Sequence, residues 1–302
     1  MSAEASVLFD APGPRAKRLY AIIGVISVLV LLGLLYLVYR GFAKPDNNQF
    51  TADKWLPFID PVTWTAYFIP GILDTLRAAG LAVLLAIVLG LLLGMGRLSG
   101  LAPLRAVSGV FVEFFRSVPV LVMMLFFYYL GQYALGITGD AASFFGVVAG
   151  LTFYNASVIA ELVRSGVGSL PKGQREAGLA IGMTPTQTLV TILLPQAIAL
   201  MLPSIISQLV VILKDTALGY IIAYSELIRA GQNLSSFKGN LIPTLIVVAL
   251  LFIAINYALT RIARLVEKRL STSAKGPRQP PADPMLNPAM APGAATTTAT
   301  QA

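Results

Sequence analysis

The chain has 302 residues, of which 56% are hydrophobic and only 12% are charged, and its mean hydropathy is +0.77. Soluble domains carry about 25% charged residues, so this composition excludes an ordinary water-facing globule and makes lipid the solvent. Cysteine and histidine are both absent, which excludes disulfides, Cys/His metal sites, thiol nucleophiles and histidine bases; the net charge of +8 is what basic loops of a membrane protein supply.

A helix that crosses about 30 Å of hydrocarbon needs about 20 mostly apolar residues. In chain order the uncharged runs of that size cover 19–39, 78–96, 117–139, 141–160, 189–213 and 239–260. The uncharged stretch that leads into the fifth run begins at residue 177, and Gly182, Thr184 and Pro185 interrupt it. These runs predict an all-α polytopic membrane protein with six transmembrane helices. Run 19–39 follows Arg15, Lys17 and Arg18, as a signal peptide would. It exceeds the 7–15 residues of a signal h-region and no A-x-A site follows it, so it is expected to stay as a span. Segment 41–70 reads as an extracytoplasmic loop in which Trp55 and Trp64 suit the aromatic belt of the interface. Residues 271–302 are rich in Pro, Ala, Thr and Gly and read as a disordered cytoplasmic tail.

With both termini in the cytoplasm, fifteen of the 22 basic residues fall inside and seven outside. The positive-inside bias therefore predicts an N-in, C-in topology, and it leaves no need for nucleic acid as a partner. The resulting layout is a cytoplasmic tail 1–18, a first helix 19–40, the loop 41–70, a core 71–270 and the tail 271–302.

The cytoplasmic link between spans four and five, residues 169–197, carries the strongest local signals. A short helix is predicted from Pro171, placed where a missing N–H costs nothing, to about residue 181. Gly182 is the natural C-cap. Thr184, Pro185 and Gln187 then spell an N-cap, a first-turn proline and a capping-box partner for a second helix. A helix, a sharp turn and a helix entering the membrane give a surface element suited to docking, although a plain connector has the same outline.

Glu176–Gly178 with Gly182 and the later Leu194–Ala197 resemble the EAA loop of bacterial ABC-transporter permeases. EFFRSVPVLV (113–122), AELVRSGVGSLPKGQ (160–174) and LKDTALG (213–219) resemble the polar amino-acid branch. VLFDAPGP (7–14) and WLPFIDPVTW (55–64) resemble glutamate-uptake permeases. The resemblance spans about residues 71–270 and implies a five-helix type I importer core behind one extra N-terminal helix, in a bacterial cytoplasmic membrane. It implies a coupling loop carried by Pro171, Gln174, Glu176, Ala177, Gly178, Gly182 and Pro195. It also implies three kinds of partner: two copies of an ATP-binding subunit, an extracytoplasmic substrate-binding protein, and a second permease, related but non-identical rather than a second copy. Gly178 departs from the usual alanine, and a glycine there is expected to soften the helix by about 1 kcal/mol.

A Walker A loop needs glycine immediately before its lysine, and none of the eight lysines follows a glycine. The chain is therefore expected to do no chemistry of its own, to hold no cofactor or metal, and to rely on a separate ATPase. An ion-gradient transporter is the alternative; it would need inverted repeats and midplane carboxylates, neither of which stands out.

Ionisable groups near a membrane are costly and mark functional candidates. Glu161 and Arg164 are spaced to pair across one helical turn, as are Glu113 with Arg116 and Asp74 with Arg77. The first pair is either a structural clasp or part of the substrate path or inner gate. Lys214 and Asp215, adjacent at the mouth of span five, cannot face each other on a helix. Lys214 either snorkels to the interface or meets a substrate carboxylate. Residues 215–231 are too short and too charged to span, and the resemblance makes them the outer gate region. Pro195 and Pro203 are candidate kinks, and Gly90, Gly94 and Gly96 offer small surfaces for close packing.

Overall fold

The computed structural model describes residues 13–44 and 48–272, and no strand occurs among them. Most of the tail expected at 271–302 lies outside the described residues. The main helices are α1 (Pro14–Phe42), α2 (Ile69–Leu98), α3 (Ala102–Ser117), α4 (Val120–Ala134), α5 (Asp140–Gly168), α6 (Lys172–Ala180), α7 (Pro185–Thr188), α8 (Leu194–Asp215), α9 (Leu227–Lys238) and α10 (Leu241–Thr272). Five helical stretches are long and apolar enough to cross a membrane, and a sixth appears when α3 and α4 are taken as one broken span.

That break is where the third expected run differs from the structure. Residues 117–139 read as one straight helix, yet α3 and α4 meet at 104°. Pro119 is the cause. Its ring disfavours the helical conformation of the residue before it, and Val118 is extended at φ −87° and ψ 130°. Helix α4 alone has 15 residues, about 22 Å, which is short for a bilayer. Glu113 and Arg116 accordingly lie in the last two turns of α3 and not at the start of a span.

The chain divides into two compact units. The first comprises residues 1–77 and 219–252, and the second comprises 78–218 and 253–302. Helix α1 has no buried residue, as expected of a helix that is apolar on every side and meets lipid.

In the first unit, segment 48–70 is mostly helical. Short turns at Ala52–Trp55, Leu56–Phe58 and Pro61–Thr63 lead through a π-helical turn, Trp64–Phe68, into α2. The Trp64 indole N–H donates to the Phe58 carbonyl at 2.9 Å. Two buried amides pin this segment to the turn between α9 and α10. Gln49 donates to the Gly239 carbonyl at 3.2 Å and accepts from the Ile242 N–H; Asn240 donates to the Lys54 carbonyl at 3.1 Å and accepts from the Thr244 hydroxyl.

In the second unit α5 is the central element: 72% of its apolar window is buried, against 33% or less for the other four unbroken spans. Small residues let its neighbours approach. A Cβ at Gly90 of α2 would lie 2.7 Å from Ile159, and one at Gly94 would lie 2.9 Å from Val163, so α2 packs against α5 through glycine as the sequence suggested. A ring stack of Phe115, Phe153 and Phe127, with centroids 5.0 and 4.9 Å apart, joins α3, α5 and α4.

Candidate functional site

The turn between α6 and α7 is built by local rules. Pro171 is the N-cap of α6, one residue outside the position expected from sequence. At the other end Gly182 takes φ +88°, a conformation that suits glycine. Its N–H bonds the Leu179 carbonyl while the Met183 N–H bonds the Gly178 carbonyl at 3.1 Å. These two bonds form a Schellman motif that satisfies the last carbonyls of α6. Helix α7 opens with the complete capping box: the Gln187 N–H donates to the Thr184 hydroxyl, and the Thr184 N–H donates to the Gln187 side chain at 2.8 Å.

Gly178 has a different reason from the one read in sequence. It is buried, and a Cβ there would sit 2.7 Å from Thr188 Cγ2 and 2.9 Å from its Oγ1. The glycine is the place where α6 lies against α7, so its flexibility is offset by close packing. Gln174 holds the same arrangement from further along α6, accepting a long bond of 3.4 Å from the Gln196 amide on α8. Pro195 follows a π-helical turn, Leu189–Leu193. Such a turn absorbs the hydrogen bond that a proline cannot make.

With its inner face packed, α6 turns its other face outward. Glu176 and Ala177 are exposed, and Glu176 makes no ion pair or side-chain hydrogen bond among the described residues. Leu179 is 40% and Ile181 77% exposed. An acid beside uncovered aliphatic side chains on a short helix closed by a Schellman turn is a surface that a partner protein can grip.

Glu161 and Arg164 do pair across a turn, with Arg164 donating to the Glu161 carboxylate at 2.5 Å. The structure adds a member that the sequence did not reveal. Arg97, at the end of α2, donates to Glu161 at 2.7 Å and to Glu113 at 3.0 Å. Arg116 bonds Glu113 at 2.9 Å and lies 3.9 Å from Glu161. Three guanidinium groups and two carboxylates thus tie α2, α3 and α5 together. The Arg97 side chain is 14% exposed and that of Glu161 22%, so Arg97 is the inner member of the cluster. Only pairing between distant segments identifies it, and no local pattern signals that.

Lys214 and Asp215 close α8. Lys214 is exposed and Asp215 half-buried, and neither has an ion pair or side-chain hydrogen bond among the described residues. The structure does not bring them together with Glu161 or Arg164. A second polar link in the same unit, unseen in sequence, lies between α5 and α8. The buried Asn155 accepts from the Gln208 amide at 2.6 Å and donates to the Leu151 carbonyl.

Beyond α8 the chain forms a 3-10 turn, Thr216–Ile222, and then α9. Glu226 caps α9, accepting from the Ile228 N–H at 2.7 Å and the Arg229 N–H at 2.8 Å, and its side chain is fully buried. Burial pushes its carboxyl up to about 7, against the two N–H donors that pull it down. Burial also raises the Tyr224 hydroxyl, with Asp74 adding to the shift; that hydroxyl donates to the Asp74 carbonyl at 2.7 Å. The buried Thr75 hydroxyl accepts from the Leu227 N–H at 3.1 Å. Among the described residues no group of three or more acids comes together as a metal site would require.

Comparison with known proteins places these features in a family context. Residues 86–272 match the family described as binding-protein-dependent transport system inner membrane component. The chain is 48% identical over 242 residues to the glutamate transport system permease protein GluD of Corynebacterium glutamicum, covering 78% of this chain and 88% of that one. It is 36% identical to the probable glutamine ABC transporter permease protein GlnP of Bacillus subtilis, over 68% of this chain and 94% of that one. Among solved structures, the crystal structure of an amino acid ABC transporter with histidines aligns with a TM-score of 0.63 at 27% identity. It covers 71% of this chain and 98% of the other.

Proposed function

The chain belongs to the family of binding-protein-dependent transport system inner membrane components, and from that membership we propose that it is the permease subunit of an ATP-driven importer that carries glutamate or a closely related polar amino acid. The similarity to the Corynebacterium glutamate permease, at 48% identity over most of both chains, supports the substrate. The observation that carries the mechanism is the α6 helix. It is clamped from behind at Gly178 and Gln174 and exposes Glu176, Leu179 and Ile181.

In this reading two ATP-binding subunits receive the α6 helices of two permeases, a related second chain pairing with this one, and a substrate-binding protein delivers the amino acid from outside. The bias of basic residues supports a topology with both termini and the α6–α7 turn in the cytoplasm. ATP-driven closure of the ATPase pair draws the α6 helices together. Because the Schellman turn and the capping box fix α6 to α7, and α7 runs on into α8, that displacement passes into a membrane-crossing helix. The charged cluster at the ends of α2, α3 and α5 acts as the clasp that lets those helices move as one. The chain has no glycine–lysine step from which to build a Walker loop, so hydrolysis falls to the partner.

The test is direct. The tagged chain, purified in a mild detergent, should bring an ATPase subunit with it, and Glu176→Lys should abolish that association and uptake while leaving membrane insertion intact. Uptake that persists after ATP depletion with the ion gradient maintained, or normal transport by Glu176→Lys, would overturn the reading.

A further inference from the structure

A cavity of about 690 Å³ opens in the second unit beside the α6–α7 turn, a size in the range of small-ligand sites. Arg97, Arg105 and Arg175 line it together with aliphatic side chains that include Leu92, Leu104 and Leu193, and no acidic residue does among the described residues. The three arginines differ in how far their charge is already met. Arg97 is held by Glu113 and Glu161. Among the described residues Arg105 makes only one side-chain hydrogen bond, from Nη1 to the Ser99 carbonyl at 3.0 Å. Arg175 makes no ion pair or side-chain hydrogen bond among the described residues. Two guanidinium groups with unmet charge therefore face a cavity whose other walls are largely apolar.

The depth of the cavity is informative. Its walls include Leu98, the last residue of the span ending α2; Val167, one residue from the end of α5; and Pro185, the first residue of the next span. Leu92 and Leu193 lie about two turns further into the apolar segments. A site that is cationic at the ends of spans and aliphatic deeper in matches the level at which lipid headgroups give way to acyl chains. Basic pockets between membrane helices on the cytoplasmic side are suited to anionic lipid.

We propose that this cavity binds an anionic phospholipid, with its phosphate on Arg105 and Arg175 and the first methylenes of its chains against Leu92, Leu104 and Leu193. A free anion would gain nothing from the aliphatic walls, and a zwitterionic lipid would bring a cation towards two arginines. Because Arg175 belongs to α6, the lipid joins the docking helix to the bilayer itself. The inference rests on the importer reading only for which leaflet supplies the lipid.

The experiment uses the full chain in a mild non-ionic detergent, with phosphatidylglycerol, phosphatidylcholine or inorganic phosphate added. The readouts are the melting temperature and the lipid retained in native mass spectrometry. Phosphatidylglycerol should raise the melting temperature and remain bound, while the other two should do neither at the same concentration. Arg105→Gln and Arg175→Gln should each weaken the apparent affinity about fivefold, given about 1 kcal/mol per basic residue near the surface. Arg175→Gln removes no polar side-chain contact among the described residues, so its effect is not one of misfolding. Equal stabilisation by phosphatidylcholine would mean that the acyl chains alone bind. Stabilisation by inorganic phosphate would mean a free-anion site, and unchanged phosphatidylglycerol affinity in both variants would mean that the arginines are not the ligands. Each of these three results overturns the proposal. A chain that fails to bring down an ATPase subunit would instead sink the importer reading and leave these lipid results standing.

Discussion

Each compact unit has a polar cluster that holds helices together, the second keeping the neutral Asn155–Gln208 link besides, and the two clusters use opposite chemistry. In the second unit Arg97, Arg116 and Arg164 meet Glu113 and Glu161, with four of the five side chains between 22% and 52% exposed. In the first unit Gln49, Asn240, Thr244 and Thr75 are all but completely buried and carry no charge. The difference follows from desolvation. An ion pair that water still reaches loses little on forming, whereas a fully buried one must recover several kcal/mol per ion. Amides and hydroxyls satisfy the same backbone groups at lower cost. The first unit breaks its own rule once, at Glu226, a buried carboxyl with two N–H donors and no cationic partner among the described residues.

Glu226 is therefore where the comparison is most easily broken. Its carboxyl sits at about 7 against an ordinary 4.5, so between those values the folded chain holds a proton that the unfolded chain releases. Its contribution favours folding fully below about pH 4.5, is lost as the pH rises to about 7, and is flat beyond. At about 1.4 kcal/mol per pH unit this amounts to something on the order of 3 kcal/mol. Glu226→Gln, which keeps an acceptor for the cap, should flatten that part of the stability profile and make the protein more stable than the parent at pH 8. Parallel melting curves for the two proteins from pH 5 to 8 would refute this reading of Glu226.

Arg97→Ala tests the ionic side. It leaves Glu113 and Glu161 only the more exposed Arg116 and Arg164, and the most buried member of the cluster is lost. A cost of about 2–3 kcal/mol is expected, below the 3–5 kcal/mol of a fully buried pair, seen as a lower melting temperature. Asn240→Ala tests the neutral side. It orphans the Lys54 carbonyl and removes the acceptor of the Thr244 hydroxyl, for a cost of about 1–3 kcal/mol. Its penalty should not change between 50 mM and 1 M salt, because no charge is involved. A salt-dependent penalty would show that the segment around Lys54 is held by charge instead.

How far each region could be read in advance tracks the same division. The α6–α7 turn was legible because Gly182, Thr184 and Gln187 act within five residues of one another, and hydrogen bonds of that range are dictated by the residues themselves. The bend at Val118 was legible in principle, since Pro119 signals it; apolarity alone hid it in a run of uncharged residues. The pairs Glu161–Arg164 and Glu113–Arg116 were visible as helical spacings. Arg97 was not, because its partners are 16 and 64 residues away and only the packing of α2 on α5 brings them together. Gln49, Asn240 and Glu226 look like surface residues in sequence, and nothing short of the tertiary fold shows that they are buried. Gly178 was noticed but explained by helix propensity; its real constraint is Thr188, on the other side of the turn.

The smallest expected effect draws the line inside the ionic cluster itself. Arg116 shares both acids with Arg97, but its side chain is 39% exposed and its contact with Glu161 is 3.9 Å long. Its better bond, to Glu113 at 2.9 Å, spans one turn of α3, the kind of surface pair worth about 0.3–0.5 kcal/mol. Arg116→Ala should therefore cost less than about 1 kcal/mol, and 1 M salt should erase most of that by screening. The Arg97→Ala penalty should largely survive the same salt, because screening acts far less on the less exposed pair. If both variants lose stability equally and both penalties vanish in salt, Arg97 is no more shielded than Arg116. The clasp between α2, α3 and α5 would then be a surface feature, and the three helices would owe their common movement to the glycine contacts of α2 on α5 and the ring stack of Phe115, Phe153 and Phe127.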